Sequence, residues 1–105
     1  GSQTRTFCYV DDTVETCVTV HAEKACENDV INIGSDAEIS ILDLAHAVIH
    51  VTDSRSPIEF LPPLAEGDMS RRCPDISKMR QLLKRPLLPL EEGIRKLVNH
   101  YTVPC

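Results

Sequence analysis

A chain of 105 residues with 42% apolar side chains suffices for one small domain with a modest core. Its formal net charge of -5 argues against a general nucleic-acid binder, which needs a basic face to neutralise phosphates. It has no run of about 18 apolar residues to span a bilayer and no signal-peptide pattern at its start, so a soluble, cytoplasmic setting without membrane contact is expected.

Residues 5–10, RTFCYV, form a short aromatic and β-branched run. Asp11 and Asp12 follow and can cap a helix whose inner face is Val14, Cys17, Val18, His21 and Ala25. The acidic END at 27–29 breaks that pattern, and VINIG (30–34) reads as a short buried strand closed by Gly34. Ser40, with Asp43 three residues on, is a variant of the capping box. It opens a second helix with Ile41, Leu44, Ala45, Val48 and Val51 along its buried stripe.

Pro57 starts a second strand, IEF (58–60), after which LPPLAEGDMS (61–70) is an irregular loop because Pro62, Pro63 and Gly67 forbid a regular element. Asp75 caps a third helix with Ile76, Met79 and Leu83 inside. KRPLLP (84–89) ends it before a fourth helix with Leu90, Ile94, Leu97, Val98 and Tyr101 inside. The predicted fold class is α/β, mainly helical: a small domain of about four helices with two short strands, VINIG and IEF. The helix between those strands favours parallel pairing with a right-handed crossover.

Charge is distributed unevenly: residues 1–70 hold three Lys/Arg against thirteen Asp/Glu, whereas residues 71–85 hold six against one. In that basic island SRRCPDISK (70–78) places Arg71 and Arg72 at the mouth of a helix whose N-terminus is already electropositive. Cations there are unfavourable by some tenths of a kcal/mol, so something negative is expected in front of them.

Five cysteines, Cys8, Cys17, Cys26, Cys73 and Cys105, are odd in number, widely spaced and without a C-x-x-C pair. That pattern favours free thiols over a disulfide scaffold or a zinc site. Cys73 stands beside two arginines that can lower a thiol pKa, but no histidine lies near it in sequence to make it a nucleophile. Asp43, His46 and His50 share the outer face of the second helix at a spacing a divalent metal can use. Without the Glu of an H-E-x-x-H motif the triplet reads as a solvated face, and no metal site is expected.

Three pieces in order, GSQTRTFCYVDDTV (1–14), VINIGSDAEISILDLA (30–45) and RRCPDISKMRQLL with PLEEGIRKLV (71–98), resemble the C-terminal part of extended short-chain dehydrogenase/reductases. The likeness is to the NAD-dependent nucleotide-sugar epimerases, dehydratases and decarboxylases, with UDP-glucuronate decarboxylase the nearest subgroup. It implies an N-terminal Rossmann domain that holds NAD and the catalytic Ser/Thr, Tyr and Lys, and a C-terminal domain, here residues 1–105, that holds the nucleotide sugar for oxidation at C4. Neither Tyr9 nor Tyr101 begins a Y-x-x-x-K pair, and the four glycines form no G-x-G-x-x-G loop. The chain is therefore expected to hold no catalytic residue, to bind no NAD itself and to be inactive alone. Its expected partners are a nucleoside diphosphate sugar and the missing Rossmann domain, in a longer protein that forms a homodimer.

Carried over by position, the resemblance implies that Arg5 in QTR reaches the substrate diphosphate with Gln3 nearby. It implies that Arg72 in RRCPD faces the diphosphate or the sugar. Arg71 is the weaker candidate, because the family carries a basic residue there without a settled ligand role. Guanidinium groups suit the task, since they make bidentate, charge-assisted hydrogen bonds to phosphate. Tyr9, Asp11 and Asp12 are assigned to packing and capping. Lys84-Arg85-Pro86 replaces the family's Gly-Trp-Glu-Pro, and Pro89 stands where a Ser usually caps the last helix. The alternative reading is a non-catalytic interaction or regulatory module with the same fold.

Overall fold

A computed structural model describes residues 1–102. In chain order the elements are β1 (Thr4–Thr6), α1 (Val10–Ala22), β2 (Glu38–Ser40), α2 (Ile41–Thr52), α3 (Ser77–Leu83) and α4 (Leu90–Thr102). Four helices with a two-stranded sheet match the expected class. The strands and their direction do not.

β1 and β2 pair antiparallel, with Thr4 opposite Ser40, Arg5 opposite Ile39 and Thr6 opposite Glu38. On the other side of β1 the chain at 70–71 adds one parallel bridge, Thr4 to Arg71, and the Thr4 N–H donates to Ser70 O at 2.9 Å. The expected strand VINIG is instead an extended strap along α3. Ile31 and Ile33 pack on the core, Asn32 Nδ2 donates to Asp75 O and the Gly34 N–H points at Met79 Sδ. Its polar groups meet α3 and the turn before it rather than a neighbouring strand, and Ile31 and Ile33 are only half-buried while Val30 is exposed, so the run is neither laddered nor buried. IEF likewise forms no strand, and Phe60 is exposed.

α3 carries the centre of the core. Ile76, Met79 and Leu83 are the buried apolar residues, as their spacing predicts. The Asp75 carboxylate accepts the Ser77 N–H at 2.9 Å, one residue ahead of the N-cap position, which Ile76 occupies without a side-chain bond. α2 starts as expected, with Ser40 Oγ accepting the Asp43 N–H at 3.0 Å; it packs on α4 with its stripe half-buried except at Val48, which is exposed. In α4 the buried position is Gly93, against which the Tyr9 ring lies. Leu97 and Tyr101, expected inside, are exposed.

α1 turns the other way from its expected face. Val10, Val14 and Val18 are 56%, 53% and 60% exposed, and Cys17 and His21 are exposed as well. The buried residues are Asp12 and Thr16, one turn apart. Neither Asp11 nor Asp12 caps the helix, whose N-cap is Tyr9 without a side-chain bond. Asp12 instead faces the segment before α4: its Oδ2 accepts the Leu88 N–H at 2.8 Å and its Oδ1 lies 2.7 Å from Arg85 Nη2. Polar complementarity, not the apolar stripe, decides which face docks against α3 and residues 85–88. The helix ends at Ala22, short of Ala25, and the chain leaves through positive φ at Lys24, Cys26 and Asn28.

Candidate functional site

The three arginines singled out by sequence lie on or beside β1. Alternation along a strand sends Thr4 and Arg5 to opposite faces. On the Thr4 face Arg71 grips Glu38 with two bonds, Nε to Oε1 at 2.6 Å and Nη2 to Oε2 at 2.9 Å. The Thr4 hydroxyl donates to the same carboxylate. The hydrogen bond from Arg71 holds the Glu38 carboxyl below the usual carboxylate range. Glu38 in turn raises the Arg71 guanidinium.

On the other face the largely covered Arg5, with 20% of its side chain exposed, donates from Nη2 to Asp68 Oδ1 at 2.9 Å. It also donates from Nη1 to Thr4 O at 2.7 Å. Arg72 follows Arg71 by one residue and lies outside the strands. Its Nε contacts Met69 Sδ at 3.1 Å, which puts both guanidiniums on the neighbouring residues Asp68 and Met69. Among the described residues no carboxylate lies within 4 Å of Arg72. Arg5 and Arg72 thus contact adjacent residues of one segment, Asp68 and Met69, whereas Arg71 is engaged by Glu38.

Gln3 sits where β1 enters. Its carbonyl accepts the Ile41 N–H, and it lines a groove of about 530 Å³ with Leu42, Ile58, Phe60 and Leu64. Asp68 forms part of that groove, which therefore runs from Gln3 to the carboxylate that Arg5 holds.

The rest of the basic island has a structural explanation that sequence did not reveal. Lys78 pairs with Asp29, Arg80 with Asp36, and Arg85 with Asp12 and Glu15, as Arg71 does with Glu38. The cations of 71–85 fasten the acidic first part of the chain. Of the six, Arg72 and Lys84 are the two without a carboxylate in reach among the described residues. The electrostatic conflict ahead of α3 is thereby reduced to Arg72.

Cys8, Cys17, Cys26 and Cys73 are free thiols, and Cys105 lies outside the described residues. Asp43, His46 and His50 are exposed, and among the described residues no group of three His, Cys, Asp or Glu side chains is placed to hold a metal. No helix there is long and apolar enough to cross a membrane. Asp68 and Glu38, the carboxylates on Arg5 and Arg71, are contributors that sequence reasoning missed, and no local signal separates either from the other carboxylates.

No protein-family model matches the chain, but individual proteins do. UDP-glucuronic acid decarboxylase 1 of Danio rerio is 40% identical over 103 residues, covering 97% of this chain and 24% of that protein. A solved UDP-glucose 4-epimerase of Thermotoga maritima, with UDP-glucose, matches at a TM-score of 0.83 and 27% identity over 96% of this chain and 32% of the other. A UDP-glucuronic acid 4-epimerase of Bacillus cereus, in complex with UDP-glucuronic acid and NAD, matches at 0.74 and 30% over 96% and 33%. The chain spans about a quarter of the length of the curated relative and about a third of each solved structure. On sequence and fold together, it is a homologue of the nucleotide-sugar epimerases and decarboxylases of the extended short-chain dehydrogenase/reductases, over the stretch it shares with them.

Proposed function

We propose that this chain is the substrate-binding portion of an NAD-dependent nucleotide-sugar epimerase, dehydratase or decarboxylase, and that Arg5 and Arg72 hold the substrate diphosphate. The observation that supports this reading is that Arg5 and Arg72 contact neighbouring residues, Asp68 and Met69, and that Arg72 has no carboxylate partner among the described residues. A diphosphate offers several acceptor oxygens to their planar donor forks. Arg71 would first have to surrender two bonds to Glu38, so it ranks below Arg72. Gln3 borders the groove that leads away from Asp68 and is assigned to the sugar or diphosphate edge.

The residues present do not fit NAD. Gly1, Gly34, Gly67 and Gly93 are scattered, and none forms a glycine-rich turn between strand and helix. The cofactor and the catalytic groups therefore belong, on this reading, to an N-terminal Rossmann domain that residues 1–105 follow as a C-terminal domain. The exposed Val10, Val14 and Val18 stripe suits burial against that domain. Homodimer formation is assigned to elements outside this stretch.

Hydrogen exchange with and without UDP-glucuronic acid tests the reading. Slower exchange at residues 4–6 and 70–72 is expected, with no NADH formed by the chain when NAD is added. Unchanged exchange at those residues, or turnover by the chain alone, overturns it.

A further inference from the structure

The Arg5 guanidinium is occupied. It donates from Nη2 to the Asp68 carboxylate at 2.9 Å and from Nη1 to Thr4 O, so an anion seeking a bidentate grip that includes Nη2 meets Asp68 already there. Asp68 comes from the irregular segment 61–69, where Leu61, Leu64 and Met69 are exposed and Gly67 takes a φ of 76° that favours glycine. The ion pair to Arg5 and the Met69 contact to Arg72 hold the side chains at its end, just ahead of the Ser70 carbonyl that accepts the Thr4 N–H. We propose that Asp68 is an internal counter-anion, competing with the ligand for Arg5, so that a diphosphate binds by displacing the Asp68 carboxylate and freeing the end of the 61–69 segment. The inference rests on the reading of Arg5 and Arg72 as an anion site and adds the residue that limits its affinity.

The exchange has a definite sign. Bound anion and Asp68 cannot both take the same Arg5 donor, and a half-exposed carboxylate at 44% exposure regains hydration once released. Ion pairs of this exposure are weak, so removing the competitor should tighten anion binding about fivefold. If Asp68 instead oriented Arg5 for the ligand, its neutralisation would weaken binding.

The experiment is a titration of inorganic pyrophosphate onto the 105-residue chain, at fixed ionic strength, followed by NMR of backbone amides and arginine Nε–H groups. It compares the unchanged chain with Asp68→Asn, Arg5→Ala and Arg72→Ala. Tighter binding by Asp68→Asn, with larger amide changes at 66–69 on binding in the unchanged chain, supports the proposal. Equal or weaker binding by Asp68→Asn, while Arg5→Ala and Arg72→Ala still lose affinity, overturns the counter-anion and leaves the anion site standing. Pyrophosphate binding that neither arginine substitution alters overturns both. Asp68→Asn falls at an exposed position, and its unperturbed amide spectrum is the check that it folds.

Discussion

Replacing Asp12 tests whether polar contacts, rather than the valine stripe, fix α1 in place. Asp12 is 1% exposed, and its carboxylate accepts the Leu88 N–H and faces Arg85. Asp12→Ala leaves the half-buried Leu88 amide without its acceptor, a loss within about 1–3 kcal/mol. Arg85 adds little to that loss, because it keeps Glu15 and is partly in solvent. A destabilisation of about 2 kcal/mol is expected, and Asp12→Asn should cost about half, since its amide oxygen can still accept from Leu88. Buried apolar support is slight, resting on Ile76, Met79 and Leu83, so this is a large part of a marginal total. The chain lacks tryptophan, and urea unfolding followed by far-UV circular dichroism is the suitable assay. With a slope of about 1–3 kcal/mol per molar urea, the Asp12→Ala midpoint should fall by roughly 1 M. An unchanged midpoint, or Asn as damaging as Ala, would refute the reasoning.

Val14→Glu and Val18→Glu should leave stability, read from the urea midpoint, within about 0.5 kcal/mol of the parent, since that face is exposed; a large stability loss would show that this face is packed. At Gly93 an added Cβ would meet the Tyr9 ring at 3.3 Å, so Gly93→Leu should destabilise by about 1–3 kcal/mol through overpacking, measured as a lower urea midpoint. The acid limb is set by carboxylates whose pKa is depressed in the fold: Glu38 by the hydrogen bond from Arg71, Asp29 by that from Lys78, and Asp75 by those from Ser77. Their contribution is complete above the unfolded-state value of about 4 and is lost as pH falls through the lower folded values. The urea midpoint should therefore decline below about pH 4, and a midpoint that rises there would contradict these pairs.

How much of this was legible in the chain depends on the range of the interaction. The Ser40 cap of α2 and the Ile76, Met79 and Leu83 face of α3 were readable because cap and stripe are local signals. The α1 face is not legible because valines at helical spacing report amphipathicity without saying which side has a partner, and the partner here answers Asp12 through Arg85 and the Leu88 N–H. VINIG resembles a strand because β-branched residues also suit an extended strap, here with only Ile31 and Ile33 turned to the core. TRT, the actual β1, carries no apolar pattern, and its pairing with residues 38–40 is fixed by tertiary contact. Arg5, Arg71 and Arg72 stood out by charge and motif. What separates them are carboxylates 63 and 33 positions away in sequence, Asp68 and Glu38, which no local window connects.

The central claim is that Arg5 and Arg72, and not Arg71, hold a nucleotide diphosphate. Titration of UDP onto the chain, followed through the arginine Nε–H signals, tests it most directly. Saturable shifts at Arg5 and Arg72 are expected, with an affinity loss of about tenfold or more in Arg72→Ala and little change in Arg71→Ala. Shifts confined to Arg71, or full affinity retained by Arg72→Ala, would contradict it.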